Sequence, residues 1–114
     1  MSALVRVDNA AFKREVLEAE VPVLVDFTAP WCGPCQKVDA VLENLAEELD
    51  GKIKIAQIDL DANSDIASQF GVQGLPTLLL LYRGHELGRI STASKESLKT
   101  WIARKLAENQ PTLP

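Results

Sequence analysis

Both cysteines of this 114-residue chain lie in one short stretch, APWCGPCQ at residues 29–36, and the patterns on either side fix its setting. The apolar run VLVDF at 23–27 precedes it and is typical of a buried strand. Apolar residues at helical spacing follow it, namely Val38, Val41, Leu42, Leu45, Ala46 and Leu49. The sequence therefore predicts that Cys32 lies at a junction between a strand and a helix.

This junction gives the two cysteines different chemistry. At the start of a helix, free backbone N–H groups and the positive end of the helix dipole favour a negatively charged sulfur. Cys32 is therefore the candidate nucleophile, acting as a thiolate. Cys35 lies one helical turn further on, where its sulfur can approach that of Cys32 from a more enclosed position. It is the candidate resolving thiol.

Length and composition indicate one globular domain without a nucleic-acid partner. The chain is 46% hydrophobic and 25% charged, which is ordinary for a soluble protein with a single core. Its net charge is −4, and no basic stripe is visible that could follow a phosphate backbone. Neither a signal peptide nor a membrane-spanning run is visible. We expect no membrane association and a cytoplasmic location, or an organellar stroma or matrix if a transit peptide has been removed.

Strand and helix patterns alternate along the chain. Strands are expected at 4–7, 23–28, 53–59, 77–82 and 86–90. Helices are expected after four start signals, at Asp8, at Cys32, within residues 61–64 and at Ser94. These patterns predict an α/β fold in which four helices flank a central mixed five-stranded sheet. Residues 1–108 form the predicted domain, and residues 109–114 form a loose C-terminal tail.

With these elements in place, the chain resembles the thioredoxin family over about residues 5–106. The resemblance is carried by WCGPC at 31–35, Asp26 within its strand, GLPT at 74–77 and Gly84. It implies the thioredoxin fold and a general protein-disulfide reductase that carries electrons by reversible dithiol–disulfide exchange and maintains cell redox homeostasis. It also implies disulfide-containing protein substrates, a thioredoxin reductase as electron donor, a monomer and no cofactor.

The resemblance also assigns roles around the cysteines. Cys32 attacks a substrate disulfide, and Cys35 then attacks the mixed disulfide, which leaves the pair oxidised. Gly33 and Pro34 shape the loop between the sulfurs, and in this family they accompany reducing members. Trp31, on a loop beside the nucleophile, is expected to be a surface contact for substrates. Trp101 has helical spacing with Leu98, which instead predicts a core position.

Asp26 is the expected proton-handling group. A carboxylate inside an apolar strand is costly unless it is paired, so burial should raise the pKa of Asp26. In the family, the aspartate at this position is associated with the proton of the resolving thiol; a structural aspartate bonded to nearby backbone is the alternative. The family usually has a lysine where this chain has Gln57. Without that cation, we expect Asp26 to be harder to ionise.

The GLPT stretch resembles the cis-proline loop of the family. This implies a cis bond between Leu75 and Pro76, beside the cysteines, and backbone groups from Gly74 to Pro76 that pair with an extended substrate. Three departures accompany it. Thr28 stands where an aromatic residue is usual, Ala40 replaces a helix-kinking proline, and Ser91 lies near a groove glycine. We therefore expect more open surroundings of the redox loop, a straighter helix and an altered choice of partner.

Other functions would use some of the same residues. A Cys-x-x-Cys motif can be half of a zinc site, but such a site needs four ligands, and the one histidine, His85, is distant in sequence. We therefore expect no metal. A binding module within a larger assembly is a second alternative, and a disulfide oxidase or isomerase is a third. Gly33, Pro34 and the missing signal-peptide pattern stand against the third, while the fold alone does not separate these functions.

Overall fold

The computed structural model describes residues 4–91 and 94–109, which form a mixed sheet with helices on both faces. The strands are β1 (Leu4–Arg6), β2 (Val23–Thr28), β3 (Lys54–Asp59), β4 (Thr77–Tyr82) and β5 (His85–Ile90). The helices are α1 (Asn9–Phe12), α2 (Gly33–Glu48), α3 (Ser64–Gln69) and α4 (Lys95–Glu108). A π-helical turn at Lys13–Leu17 continues α1. The predicted five strands and four helices are thus confirmed, with small shifts at the ends of β1, β3 and β5.

β2 lies at the centre of the sheet, as its apolar run predicts. The strand order is β1-β3-β2-β4-β5, in which β3 is parallel to β1 and β2, while β4 is antiparallel to β2 and β5. The register places Asp26 of β2 between Gln57 of β3 and Leu78 of β4. Directly paired residues project from the same face of a sheet, so these three side chains are neighbours.

Alternate residues of the strands bury two apolar layers. The layer under α1 and α3 contains, among others, Val23, Val25, Phe27, Phe12, Val16, Ile66 and Ala67. The layer under α2 and α4 contains, among others, Leu24, Leu78, Leu80, Val38, Leu42, Leu98, Trp101 and Ile102. Each fully buried leucine or valine contributes about 1.5–3 kcal/mol, so these layers hold the sheet and helices in fixed positions. The predicted core position of Trp101 is confirmed.

α2 carries the cysteine motif at its first turn. Gly33 is its first residue, and Pro34 follows, where the missing N–H of proline leaves no intrahelical bond unmade. The helix then runs without a break through Ala40 to Glu48. The straighter course expected for α2 with alanine at position 40 stays a prediction.

The helix after Asp8 is less regular than its pattern predicts. Asp8 caps it as expected, because its side chain accepts a hydrogen bond from the N–H of Ala11 at 2.8 Å. Beyond Phe12 the helix widens, and the N–H of Glu18 bonds to the carbonyl of Lys13, five residues earlier, at 2.9 Å. Apolar spacing fits an ordinary and a widened turn equally well, so the sequence could not distinguish them.

The end of α4 differs from the predicted tail. Ser94 caps the start of the helix as expected and accepts from the N–H of Ser97 at 3.2 Å. Asn109, which the sequence assigned to the tail, instead closes the helix, because its side-chain amide donates to the carbonyl of Lys105 at 2.8 Å. Residues 110–114 of the predicted tail lie outside the described residues. In the described ranges, every helix is too short or too polar to cross a bilayer.

Candidate active site

Cys32 and Cys35 form a disulfide at the N-terminus of α2. Their sulfur atoms are 2.12 Å apart, and their Cα atoms are 5.3 Å apart. Cys32 is the N-cap residue, and the N–H of Cys35 donates to Cys32 Sγ at 3.2 Å. This N–H, together with the helix dipole, favours negative charge on that sulfur after reduction. The predicted strand-to-helix junction is therefore confirmed, with Cys32 at its tip.

The two cysteines differ in access to solvent. Cys35 is completely buried, whereas Cys32 retains 4% of its surface. Both pack against Ala29 and the half-buried Leu75. Within the pair, only Cys32 presents any surface to an approaching substrate, which agrees with the more enclosed position predicted for Cys35.

Trp31 forms the exposed side of the site. It keeps 67% of its surface, and its Nε1 donates to Asp61 Oδ2 at 2.8 Å. Asp61 is itself fixed after β3, because its N–H donates to Asp59 Oδ1 at 2.9 Å. The predicted surface position of Trp31 is confirmed. Its bond to Asp61 spans 30 positions of sequence and had no signal in the local pattern.

The loop at 74–77 lies beside the disulfide and contains a cis peptide bond between Leu75 and Pro76, as expected. Pro76 is buried. The hydroxyl of Thr77 donates to the carbonyl of Gly74 at 2.6 Å, and the hydroxyl of Ser91 donates to the carbonyl of Pro76 at 3.2 Å. Ser91, the departure noted near the groove, therefore contacts the backbone of this loop directly.

Asp26 lies under α2 and has no exposed surface. Its burial raises the pKa of Asp26 from 3.8 to about 8, and the adjacent carboxyl of Asp39 adds to the rise. Gln57 Nε2 donates to Asp26 Oδ2 at 3.3 Å and lowers this pKa in part. The expected direction of the pKa shift is thus confirmed. At neutral pH the carboxyl of Asp26 is mostly protonated.

Asp39 is a residue of this site that the sequence patterns did not indicate. It lies on α2 one turn after Cys35, and its carboxyl lies close enough to that of Asp26 to raise the pKa of Asp26. The hydroxyl of Thr28 donates to Asp39 Oδ2 at 3.3 Å. The sequence spacing could have indicated Asp39, because residues four apart on a helix share a face and Asp39 lies four residues after Cys35.

A cleft of about 570 Å³ opens beside these groups. Asp39, Gln57, Thr28 and Gln36 are among the residues that line it. Asp26 contacts both Asp39 and Gln57 from the buried side. The cleft therefore gives the buried carboxyl a short route toward solvent through its two polar neighbours.

His85 begins β5, and Ser91, which contacts the cis-proline loop, directly follows the other end of that strand. The single histidine of the chain is thus separated from the cysteines by the length of β5. In the parts of the chain that the structure describes, no three His, Cys, Asp or Glu side chains are grouped so that they could hold a metal ion.

Substitutions at Gln57 are expected to move the pKa of Asp26 in opposite directions. In Gln57→Lys, an ammonium group replaces the amide beside Asp26 and favours the carboxylate, so the pKa should fall by about 1 unit or more. In Gln57→Leu, the hydrogen-bond donor is lost and the pKa should rise. Carbon-13 NMR titration of the Asp26 carboxyl measures both changes. Equal shifts in the two variants would contradict direct control by residue 57.

The chain is similar in sequence to known thioredoxins. The family model described as Thioredoxin matches residues 3–104. Thioredoxin 1 of Nostoc sp. is 44% identical over 90 residues, which are 79% of this chain and 84% of that protein. Thioredoxin 1 of Synechococcus elongatus is 41% identical over 106 residues, 93% of this chain and 96% of that protein. The thioredoxin of Rickettsia felis is 39% identical over 101 residues, which are 88% of this chain and 96% of that protein.

These matches span nearly the whole sheet and both cysteines, and they agree with the observed topology and with the disulfide that caps α2. A shared fold alone would leave the activity open, but this chain also has a redox-capable cysteine pair and sequence similarity to thioredoxins over most of its length. The chain therefore belongs to the thioredoxin family and has the protein-disulfide reductase activity of that family.

Proposed function

We propose that the protein reduces disulfides in other proteins with Cys32 as the attacking sulfur and Cys35 as the resolving sulfur. The difference between the two cysteines in exposure and hydrogen bonding supports this assignment. Cys32 has the 4% exposure and receives the N–H of Cys35, while Cys35 is completely buried. An attacking thiolate must meet an external disulfide, whereas a resolving thiol needs to reach only its neighbour.

The reaction follows from this arrangement in two exchanges. The thiolate of Cys32 attacks one sulfur of the substrate disulfide, and the electron pair of the broken bond leaves on the other substrate sulfur. Cys35 then loses its proton, attacks Cys32 Sγ and releases the second substrate sulfur as a thiolate. The substrate gains two electrons and, from solvent, two protons, while the Cys32–Cys35 disulfide forms.

Asp26 is the base that we assign to Cys35. It lies on the face of β2 that α2 covers, in a setting that water does not reach directly. Because its pKa is about 8, it is poised to exchange a proton near neutral pH. An ordinary aspartate would be a much weaker base, and the burial of Asp26 therefore suits it to this role.

We expect a substrate segment to lie across Trp31 and the loop from Gly74 to Pro76. The exposed ring of Trp31 offers apolar contact on one side of Cys32. The carbonyl groups of Gly74 and Pro76 already accept bonds from Thr77 and Ser91. We therefore assign to Leu75, between them, the backbone groups that pair with the substrate as an added strand.

The remaining parts of this proposal concern the cellular setting. A reductase of this kind needs a compartment that keeps its dithiol form populated, and we place it in the cytoplasm. A thioredoxin reductase would return the disulfide to the dithiol after each turnover. We expect residues 1–108 to act as one monomeric domain.

The reduction potential of the cysteine pair tests the direction of the reaction. After equilibration with dithiothreitol buffers of known potential, the fraction of disulfide is read by mass spectrometry after thiol alkylation. We expect a potential more negative than about −230 mV, below the range typical of glutaredoxins. A value above about −180 mV would contradict the reductase role and indicate a disulfide donor instead.

A further inference from the structure

We propose that Asp26 and Asp39 form a carboxyl pair that shares one proton, and that Asp39 is a positioning residue that passes the proton of the resolving step between Asp26 and the cleft. This inference rests on the proposed function of the cysteine pair. It assigns a role to a helix residue outside the cysteine motif and outside the loop that faces the substrate.

Unpartnered oxygen atoms are the first observation. The Oδ1 atoms of Asp26 and Asp39 are both buried and receive no hydrogen bond from a donor in the described structure. The Oδ2 atoms are partnered, by Gln57 Nε2 for Asp26 and by the Thr28 hydroxyl for Asp39. Two ionised carboxylates in contact would repel each other and leave these oxygens unsatisfied. One proton shared between the two carboxyls removes the repulsion and supplies the missing hydrogen bond.

The placement of the two carboxyls is the second observation. Asp26 follows Leu24 on the face of β2 that α2 covers, and it has no exposed surface. Asp39 is half-buried and lines the cleft of about 570 Å³. It also lies one helical turn after Cys35. The order from the interior outward is therefore Asp26, Asp39 and then the cleft.

The charges around the pair are limited. Asp39 is the charged group that acts on Asp26, from α2. The neighbouring strands place the uncharged Gln57 and Leu78 beside Asp26. The wall of the cleft adds three charged residues, namely Arg6 of β1, Asp8 at the start of α1 and Asp59 at the end of β3. The charge that shifts the pKa of Asp26 is therefore that of Asp39.

The shared proton lets the pair accept a second proton without a large movement. As Cys35 Sγ attacks Cys32 Sγ, the thiol proton of Cys35 passes to Asp26, while the proton already on Asp26 passes to Asp39. The bond between Cys32 and the substrate sulfur breaks, and its electron pair leaves with that sulfur, which takes a proton from solvent. Asp39 then releases its proton to water at the cleft, and the pair returns to its starting state.

The unaltered protein in its disulfide form gives the first test. The carboxyl carbon of Asp26 is followed by carbon-13 NMR across the pH range. Because a shared proton couples the two carboxyls, this carbon should report two steps. A single step at this carbon would overturn the proposal. Because this measurement involves no turnover, its result does not depend on whether the protein is active in the reductase assay.

The variant Asp39→Asn gives the second test, with Glu43→Gln as its matched control. Glu43 lies one turn further along α2, is exposed and carries the same charge. In Asp39→Asn, we expect Asp26 to titrate in one step at a pH lower by about 1 unit or more. The pH midpoint for resolution of the mixed disulfide should move by the same amount. The control should change neither, and an unmoved midpoint in Asp39→Asn would overturn the relay.

Discussion

Replacement of Cys35 by serine is expected to stop the reaction halfway and leave the substrate covalently attached to Cys32. The buried resolving sulfur is absent, so no second attack can release the mixed disulfide. Steady-state reduction should fall by about a thousandfold or more. Intact-mass measurement after mixing the reduced variant with a disulfide-containing protein should show one substrate attached per protein molecule.

The variant Cys32→Ser provides the control for this trap. It keeps Cys35, which is completely buried, and loses the sulfur that retains 4% exposure. We expect neither turnover nor a substrate adduct. Accumulation of the adduct in Cys32→Ser and its absence in Cys35→Ser would reverse the assignment of the two sulfurs.

The variant Asp26→Asn is expected to be more stable than the natural protein at neutral pH and slower in turnover. At pH 7 folding must protonate a carboxyl that is ionised in the unfolded chain, and an asparagine of similar shape removes that cost. We expect the free energy of unfolding at pH 7 to rise by about 2–4 kcal/mol. Turnover should fall by at least about tenfold, because Cys35 loses its base. Urea unfolding and single-turnover kinetics measure the two effects.

The stability gain in Asp26→Asn should depend on pH in one direction. The pKa of Asp26 is about 8 in the folded state, against an ordinary value of 3.8, so the folded state holds the proton more tightly. The stability of the natural protein should therefore fall as the pH rises from about 4 toward 8. The gain in Asp26→Asn should grow across this window and vanish below it. A gain that is constant with pH would show that packing, rather than ionisation, is responsible.

The strands and helices could be predicted where the pattern was unambiguous. β2 has the predicted bounds, because a proline precedes its apolar run and the cysteine motif follows it. β4 is nearly all leucine, and its bounds were also predicted. The widened turn at Lys13–Leu17 was missed because it changes the hydrogen bonds of the helix but not its apolar spacing. Asn109 was assigned to the tail because its capping bond is invisible in a polar sequence.

The site was predictable in its parts but not in its contacts. The cysteines, Asp26 and the cis-proline loop were identified from motif and resemblance. Three contacts were not, namely Trp31 with Asp61, Thr28 with Asp39, and Asp39 with Asp26. Each joins side chains from different elements, and their meeting depends on strand register and helix rotation. Local sequence constrains neither quantity closely.

Two polar neighbours from different elements set the environment of Asp26. Gln57 supplies a neutral donor in place of a cation, and Asp39 adds a second carboxyl. Asp39 favours the protonated form of Asp26, and the hydrogen bond from Gln57 offsets this effect in part. The cysteine motif is thus combined with a proton-handling site in which one neighbour of Asp26 is neutral and the other is a carboxyl.

A single-turnover reaction tests the central claim most directly. The fully reduced protein, freed of its reductant, is mixed with an excess of a disulfide-containing protein, and the thiols and disulfides of both are counted over time. We predict that each protein molecule converts one substrate disulfide to two thiols while Cys32 and Cys35 become a disulfide. Folded, fully reduced protein that leaves the substrate disulfides intact would contradict the account and indicate a binding module.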